Sequence, residues 1–96
     1  MKVYWHRELP PLDAVALGEH TIEADSLRVR STFSERELWD RCAGDLARGI
    51  ERRLAQEGER LGGECAHVLD EHVDVKHDPV HDEAWLHGRY TYILYR

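Results

Sequence analysis

Leu61-Gly62-Gly63-Glu64-Cys65-Ala66-His67-Val68 is the stretch whose reading decides the fold. A long segment with helical periodicity precedes it, and two strand-like runs follow. The paired glycines stop the helix, glycine being the usual residue of a left-handed C-terminal cap. At the other end, Ser34-Glu35-Arg36-Glu37 forms a capping box. There the Ser34 hydroxyl accepts from the Glu37 amide while the Glu37 carboxylate reaches back. The spacing predicts a helix from Glu35 to Leu61 with the apolar stripe Leu38, Cys42, Leu46, Ile50 and Leu54, widened early by Trp39, Ala43 and Ala47. Four-residue steps drift ~40° each on a helix of 3.6 residues per turn, so the stripe winds as suits a rod lying across a twisted sheet. Gly44 and Gly49 each weaken a helix by roughly 1 kcal/mol against alanine, and close approach to a neighbouring backbone is the expected compensation.

Downstream, Cys65 to Val75 and Ala84 to Tyr95 read as strands joined by a loop containing Pro79. The pairing that best sorts their faces sets Leu69 opposite Tyr90, His67 opposite Tyr92, Val73 opposite Leu86 and Cys65 opposite Leu94. The other face then pairs Asp70 with Arg89, His72 with His87, Asp74 with Trp85 and Ala66 with Ile93. With His72 facing His87 and no metal between them, charging both near pH ~6 is expected to weaken the hairpin by like-charge repulsion. Upstream of the helix, Val3 to His6 suits an edge strand, and Leu9-Pro10-Pro11-Leu12 interrupts regular structure because proline lacks an amide donor. Ala14 to Leu17 is a brief apolar run. His20 to Thr32 alternates apolar and polar as a half-buried strand does, with Asp25-Ser26 as either a turn or a bulge. The expected fold is α+β: one long helix packed on an antiparallel β-sheet of four to five strands, two layers in a single domain over residues 1–96.

The chain carries 13 basic and 19 acidic residues for a net charge of −6, which argues against nucleic acid, whose phosphates require a basic face. No apolar run approaches the ~20 residues of a membrane span, and the N-terminus has no signal-peptide pattern. A cytoplasmic protein is the expectation. Cys42 and Cys65 each sit in an apolar pattern and read as reduced core residues rather than a disulfide framework.

The chemical signal lies between His72 and His87, where His72, Asp74, His77, Asp78, His81, Asp82, Glu83 and His87 crowd together. Neutral imidazole and carboxylate are competent ligands for a divalent transition metal such as zinc or nickel. The candidate metal ligands are His72, His87, Asp74, His77 and His81, the last two grouped with Asp78 and Asp82 in the loop. Against this stands an ordinary solvated polar face. No glycine-rich phosphate loop, nucleophile elbow or paired zinc motif is present, and His67 opposite Tyr92 reads as a structural pairing. No catalytic residue is expected. Three tryptophans, Trp5, Trp39 and Trp85, are many for one small core and are enriched at interfaces, with Trp85 the best anchor on the polar face.

The order of elements, with Leu61-Gly62-Gly63-Glu64-Cys65-Ala66-His67-Val68 after the helix and Ala84-Trp85-Leu86-His87-Gly88-Arg89-Tyr90-Thr91 in the last strand, resembles the small bacterial YbjQ-type family. The resemblance spans Glu35 to Tyr95. Gly63 and Ala66 match that family's segment, whereas Glu64 and Cys65 replace its usual small pair. The family is described as heavy-metal-binding and forms ring-like homo-oligomers. The resemblance implies this fold and self-association, and it transfers no functional residue. The expected function is a bacterial-type cytoplasmic binding or assembly domain that associates with itself, with transition-metal binding on the C-terminal hairpin as the alternative.

Overall fold

The computed structural model describes residues 1–96. It has β1 (Lys2–Trp5), β2 (Ala16–Asp25), β3 (Val29–Arg30), α1 (Glu35–Leu61), β4 (Cys65–Asp78) and β5 (Glu83–Tyr95). The five strands form one sheet ordered β1-β4-β5-β2, with β3 also paired to β5. The helix packs on one face, giving the two-layer α+β architecture that the sequence suggests. The β4–β5 and β2–β5 pairs are antiparallel, but β1 runs parallel to β4, setting Tyr4 beside His67, so the sheet is mixed. A parallel neighbour needs a long crossover; here β2, β3 and α1 together supply it. No helix is long and apolar enough to cross a membrane.

Each end of α1 follows from local chemistry. Ser34 adopts extended backbone at the N-cap and its Oγ accepts from Glu37 N at 3.2 Å, while Gly62 closes the other end in the left-handed region at φ 77°. The Glu37 carboxylate accepts from the Ser34 hydroxyl at 3.0 Å rather than from the backbone. Leu38, Cys42, Leu46, Ile50 and Leu54 are all buried, as the winding stripe requires. The close approach expected at Gly44 and Gly49 is absent: a Cβ at Gly49 would meet nothing within 4 Å, and one at Gly44 only the end of Arg48. Gly58 is the crowded position instead, lying against the Met1 side chain.

On the sheet side, β5 alternates strictly. Ala84, Leu86, Tyr90, Tyr92 and Leu94 join the helix in the core, while Trp85, His87, Arg89, Thr91 and Ile93 take the outer face. The β4–β5 register differs from the sequence expectation. Cys65 pairs with Tyr95, Ala66 with Leu94, His67 with Ile93 and Val68 with Tyr92, then a bulge at Leu69 resets the ladder so that Asp70 faces Thr91. The bulge lets Ala66 and Val68 enter the core on one side of it, and Val73 pack against the core on the other. A uniform ladder cannot bury both sets, because they differ in parity along the strand. His67 therefore lies on the outer face and does not meet Tyr92. It is nonetheless buried, with Nε2 2.6 Å from the His6 carbonyl oxygen. Cys65 is half-buried on the same face, and both cysteines are free.

The doubtful Asp25-Ser26 step is a strand end. Ser26 is buried, its amide donates to Leu86 O at 2.8 Å, and its Oγ accepts from Leu86 N at 2.9 Å. One side chain thus extends the β2–β5 ladder where the backbone turns away towards β3.

Candidate functional site

Three surfaces carry functional groups. On the outer face, β2 and β5 hold His87 between two carboxylates: Nδ1 lies 2.6 Å from Asp25 Oδ1 and Nε2 lies 3.2 Å from Glu23 Oε1. These bonds, first to Asp25 and then to Glu23, raise the imidazole above its ordinary pKa. In the observed register Asp74 faces His87 and His72 faces Arg89. His72 and His87 share this face diagonally rather than directly, and His72 Nε2 lies 3.3 Å from Asp74 Oδ1. The expected repulsion between the two histidines is thus replaced by a histidine bracketed with acids, and the sign of its pH effect reverses. The cleft bounded by Glu23, His72, Asp74, Lys76, His87 and Arg89 holds about 240 Å³.

The second group lies at the hairpin tip, where ligand atoms of Asp78, His81 and Glu83 fall within 4.8 Å of one another. Asp78 Oδ1 accepts from Val80 N at 3.0 Å, and Oδ2 lies 2.8 Å from His81 Nδ1. That side-chain bond, the largest influence, lowers the Asp78 pKa. Arg28 supplies a resident positive charge, with Nη1 3.5 Å from Glu83 Oε1 and 4.0 Å from Asp78 Oδ2. The same guanidinium stacks on Trp85 at 3.9 Å from the ring centroid, covering the indole that the sequence offered as an anchor. The five histidine and aspartate positions singled out in the sequence are not one cluster. His72, Asp74 and His87 share the outer face and His81 belongs to the tip, where Glu83 rather than Asp82 completes the group. Asp82 instead accepts from the Ser31 hydroxyl, and His77 points to the helix side, near Phe33 and Val75.

The third surface is the edge of β4, which the sequence reading missed. Strand β1 covers β4 only from Cys65 to Val68, leaving residues 70–78 without an outer neighbour. The direction of the peptide groups there follows from β5. Leu86 O accepts from Ser26 N on the β2 side, and Tyr95 O accepts from Glu64 N on the β4 side. Even-numbered residues of β5 therefore turn to β2 and odd-numbered ones to β4. Beyond the bulge, Asp70, His72, Asp74, Lys76 and Asp78 pair with those odd positions and spend their peptide groups on β5. Glu71, Val73, Val75 and His77 direct theirs outward, unpaired.

Beside this edge, between α1 and the sheet, runs an apolar groove of about 290 Å³ lined by Trp5, Trp39, Ala43, Leu46, Val73 and Tyr90. Trp5 meets Tyr90 edge-on at 6.2 Å. Burial, with the Glu71 charge second, pushes the Tyr90 phenol up to about 12. Trp39 is 36% exposed and Val75 43%. The edge carries one lysine, Lys76, which forms no ion pair within the chain. A short edge segment at β1 and a long bare one at β4 cannot be told apart in the sequence, because which strand is an edge depends on strand order. Comparison with protein-family models, with curated proteins and with solved structures finds no match.

Proposed function

We propose that this chain is a non-catalytic binding and assembly domain that takes up an extended strand along the free edge of β4. The single observation behind this reading is the run of outward peptide groups at Glu71, Val73, Val75 and His77 beside an apolar groove. Unpaired edges of this length recruit strands: main-chain bonds supply affinity and alternate side chains supply selectivity. The test uses a blocked peptide of alternating valine with lysine and aspartate, added at millimolar concentration. Hydrogen exchange of the Val73, Val75 and His77 amides should slow on addition, while amides at Asp74 and Lys76, already bonded to β5, should not change. The protein is kept dilute enough to be monomeric, and the reading fails if those three amides exchange there at the same rate with and without peptide.

A second reading, binding of a divalent transition metal, is favoured by the convergence of Asp78, His81 and Glu83. The outer-face residues His72, Asp74 and His87 are its other ligand source, since Asp25 on Nδ1 leaves Nε2 beside Glu23 as a second donor. Native mass spectrometry of tag-free protein with added zinc or nickel tests it. Stoichiometric metal lost in His81→Gln places the ion at the tip, and loss in His72→Gln with His87→Gln places it on the face. Occupancy that survives both sets of changes rejects this reading.

A further inference from the structure

Resting on the edge-docking reading, we infer that the strand taken up is β4 of a second copy of this chain, antiparallel, with the two Val75 residues on the dyad. Antiparallel pairing requires that outward peptide groups meet outward peptide groups. Only a few two-fold registers meet this condition, and each centres on one residue of the free segment. With the dyad at Val75, the Val75 residues exchange both bonds, and Val73 does the same with His77 of the other copy. The next position sets Pro79, which has no N–H, opposite Glu71, whose flank is already taken by His6 at 2.8 Å. The ladder ends where neither side has more to offer.

Charge selects among the registers. On the outer face a dyad at Val75 sets Asp74 against Lys76 twice and His72 against Asp78 twice. A dyad one residue earlier, at Asp74, sets Asp74 against Asp74 and Asp70 against Asp78, so acid meets acid, and leaves Lys76 against His72 with no carboxylate. A dyad at Val73 pairs its charges acceptably but drives His77 and Asp78 into the end of β1, which bonds to Val68 through His6 N. Lysine in an edge strand ordinarily blocks indiscriminate pairing. Here Lys76 lacks an acid of its own and finds one only on a strand carrying an acid at this place, which makes it a selector. The opposite edge differs. The outer side chains of β2 include Glu19, Glu23 and Asp25, and its Glu23 carbonyl is capped by Arg53, so that edge repels a copy of itself. On the helix side, pairing at Val75 joins the half-exposed Val75 residues and brings the two grooves under one continuous sheet.

Sedimentation equilibrium of the full chain at low ionic strength tests the inference. The parent should form a dimer. Asp74→Lys and Lys76→Asp should each raise the dissociation constant about tenfold by placing two like-charged pairs across the dyad. The double exchange D74K/K76D should return it to within about threefold of the parent, and Val75→Pro should leave monomers with the monomer's circular dichroism. Rescue by the double exchange is peculiar to the Val75 dyad. With the dyad at Asp74, Asp74→Lys would only exchange one like-charged pair for another and leave the constant near the parent's; with it at Val73, the double exchange would not relieve the repulsion from Asp70 that Lys76→Asp introduces. A parent that stays monomeric at millimolar concentration, or a double exchange no better than its singles, overturns the inference. Peptide protection of the Val73, Val75 and His77 amides, measured in protein diluted below the dimer's dissociation constant so that the edge is not already paired, decides the edge-docking reading independently of that result.

Discussion

Gly62 and Gly63 occupy adjacent positions for unrelated reasons, and substitution separates them. Gly62 lies at φ 77° with nothing within 4 Å of a Cβ added there. Gly62→Ala therefore costs only the left-handed backbone penalty, about 1–2 kcal/mol. A Cβ at Gly63 would sit 2.5 Å and 2.8 Å from the two methyl carbons of Leu94 and closer still to its Cγ. Leu94 is fully buried, so it cannot swing into solvent to make room. Overpacking of this kind costs about 1–3 kcal/mol, and the depth of the overlap places Gly63→Ala at the upper end, roughly 3 kcal/mol. The two mechanisms diverge when Leu94 is shortened. Leu94→Ala alone should cost about 2–5 kcal/mol through its cavity. Combined with Gly63→Ala, the new methyl enters that cavity, and the double change should be milder than the sum of its parts by at least about 1 kcal/mol. Combined with Gly62→Ala the effects should add. Urea denaturation of the parent and the five variants at fixed pH supplies the free energies. Additive behaviour at Gly63 and Leu94, or a Gly62→Ala cost equal to that of Gly63→Ala, would refute the packing argument.

Gly49→Ala should stabilise the protein by roughly 1 kcal/mol, since the helix gains propensity and the new methyl meets nothing; a lowered urea midpoint would contradict it. Ser26→Ala should cost about 1–3 kcal/mol by orphaning the buried Leu86 amide, whereas Ser26→Thr, keeping the oxygen, should cost less. His87 gives a pH dependence of definite sign. Its pKa is raised in the folded state by Asp25 and Glu23, so its stabilisation is complete below the ordinary histidine value of about 6.5 and is lost as pH rises through the higher folded-state value. Melting temperatures taken from mildly acid to mildly alkaline pH should fall more steeply in the parent than in His87→Gln; parallel curves would remove the carboxylate bracket from the account.

The hairpin marks the boundary between what was legible in the sequence and what was not. Alternation along β5 placed Tyr90, Tyr92, Leu86 and Leu94 on one face, and all four are buried. The same reasoning on β4 assumed a uniform ladder, and the Leu69 bulge broke it. Before the bulge the ladder is slipped one residue from the expected register, which reverses the faces of Cys65, Ala66, His67 and Val68. Beyond it the slip is two residues, which keeps the face of His72 and Asp74 but gives them different partners. No local residue announced it, since Leu69 is neither glycine nor asparagine. Glu23 and Asp25 escaped notice as partners of His87 because 62 and more residues separate them along the chain. They meet only through β2–β5 pairing.

By itself the sequence determined what depends on nearest neighbours along the chain. These are the helix from Glu35 to Leu61, its caps at Ser34 and Gly62, its buried stripe, and the two strands that follow. Capping and periodicity act within a few residues, so they can be read wherever they occur. Strand order, the parallel seat of β1, the bulge and the bare edge of β4 were decided by tertiary structure. Those features depend on which groups compete for one core and one set of peptide partners, and that competition exists only once distant segments are packed together.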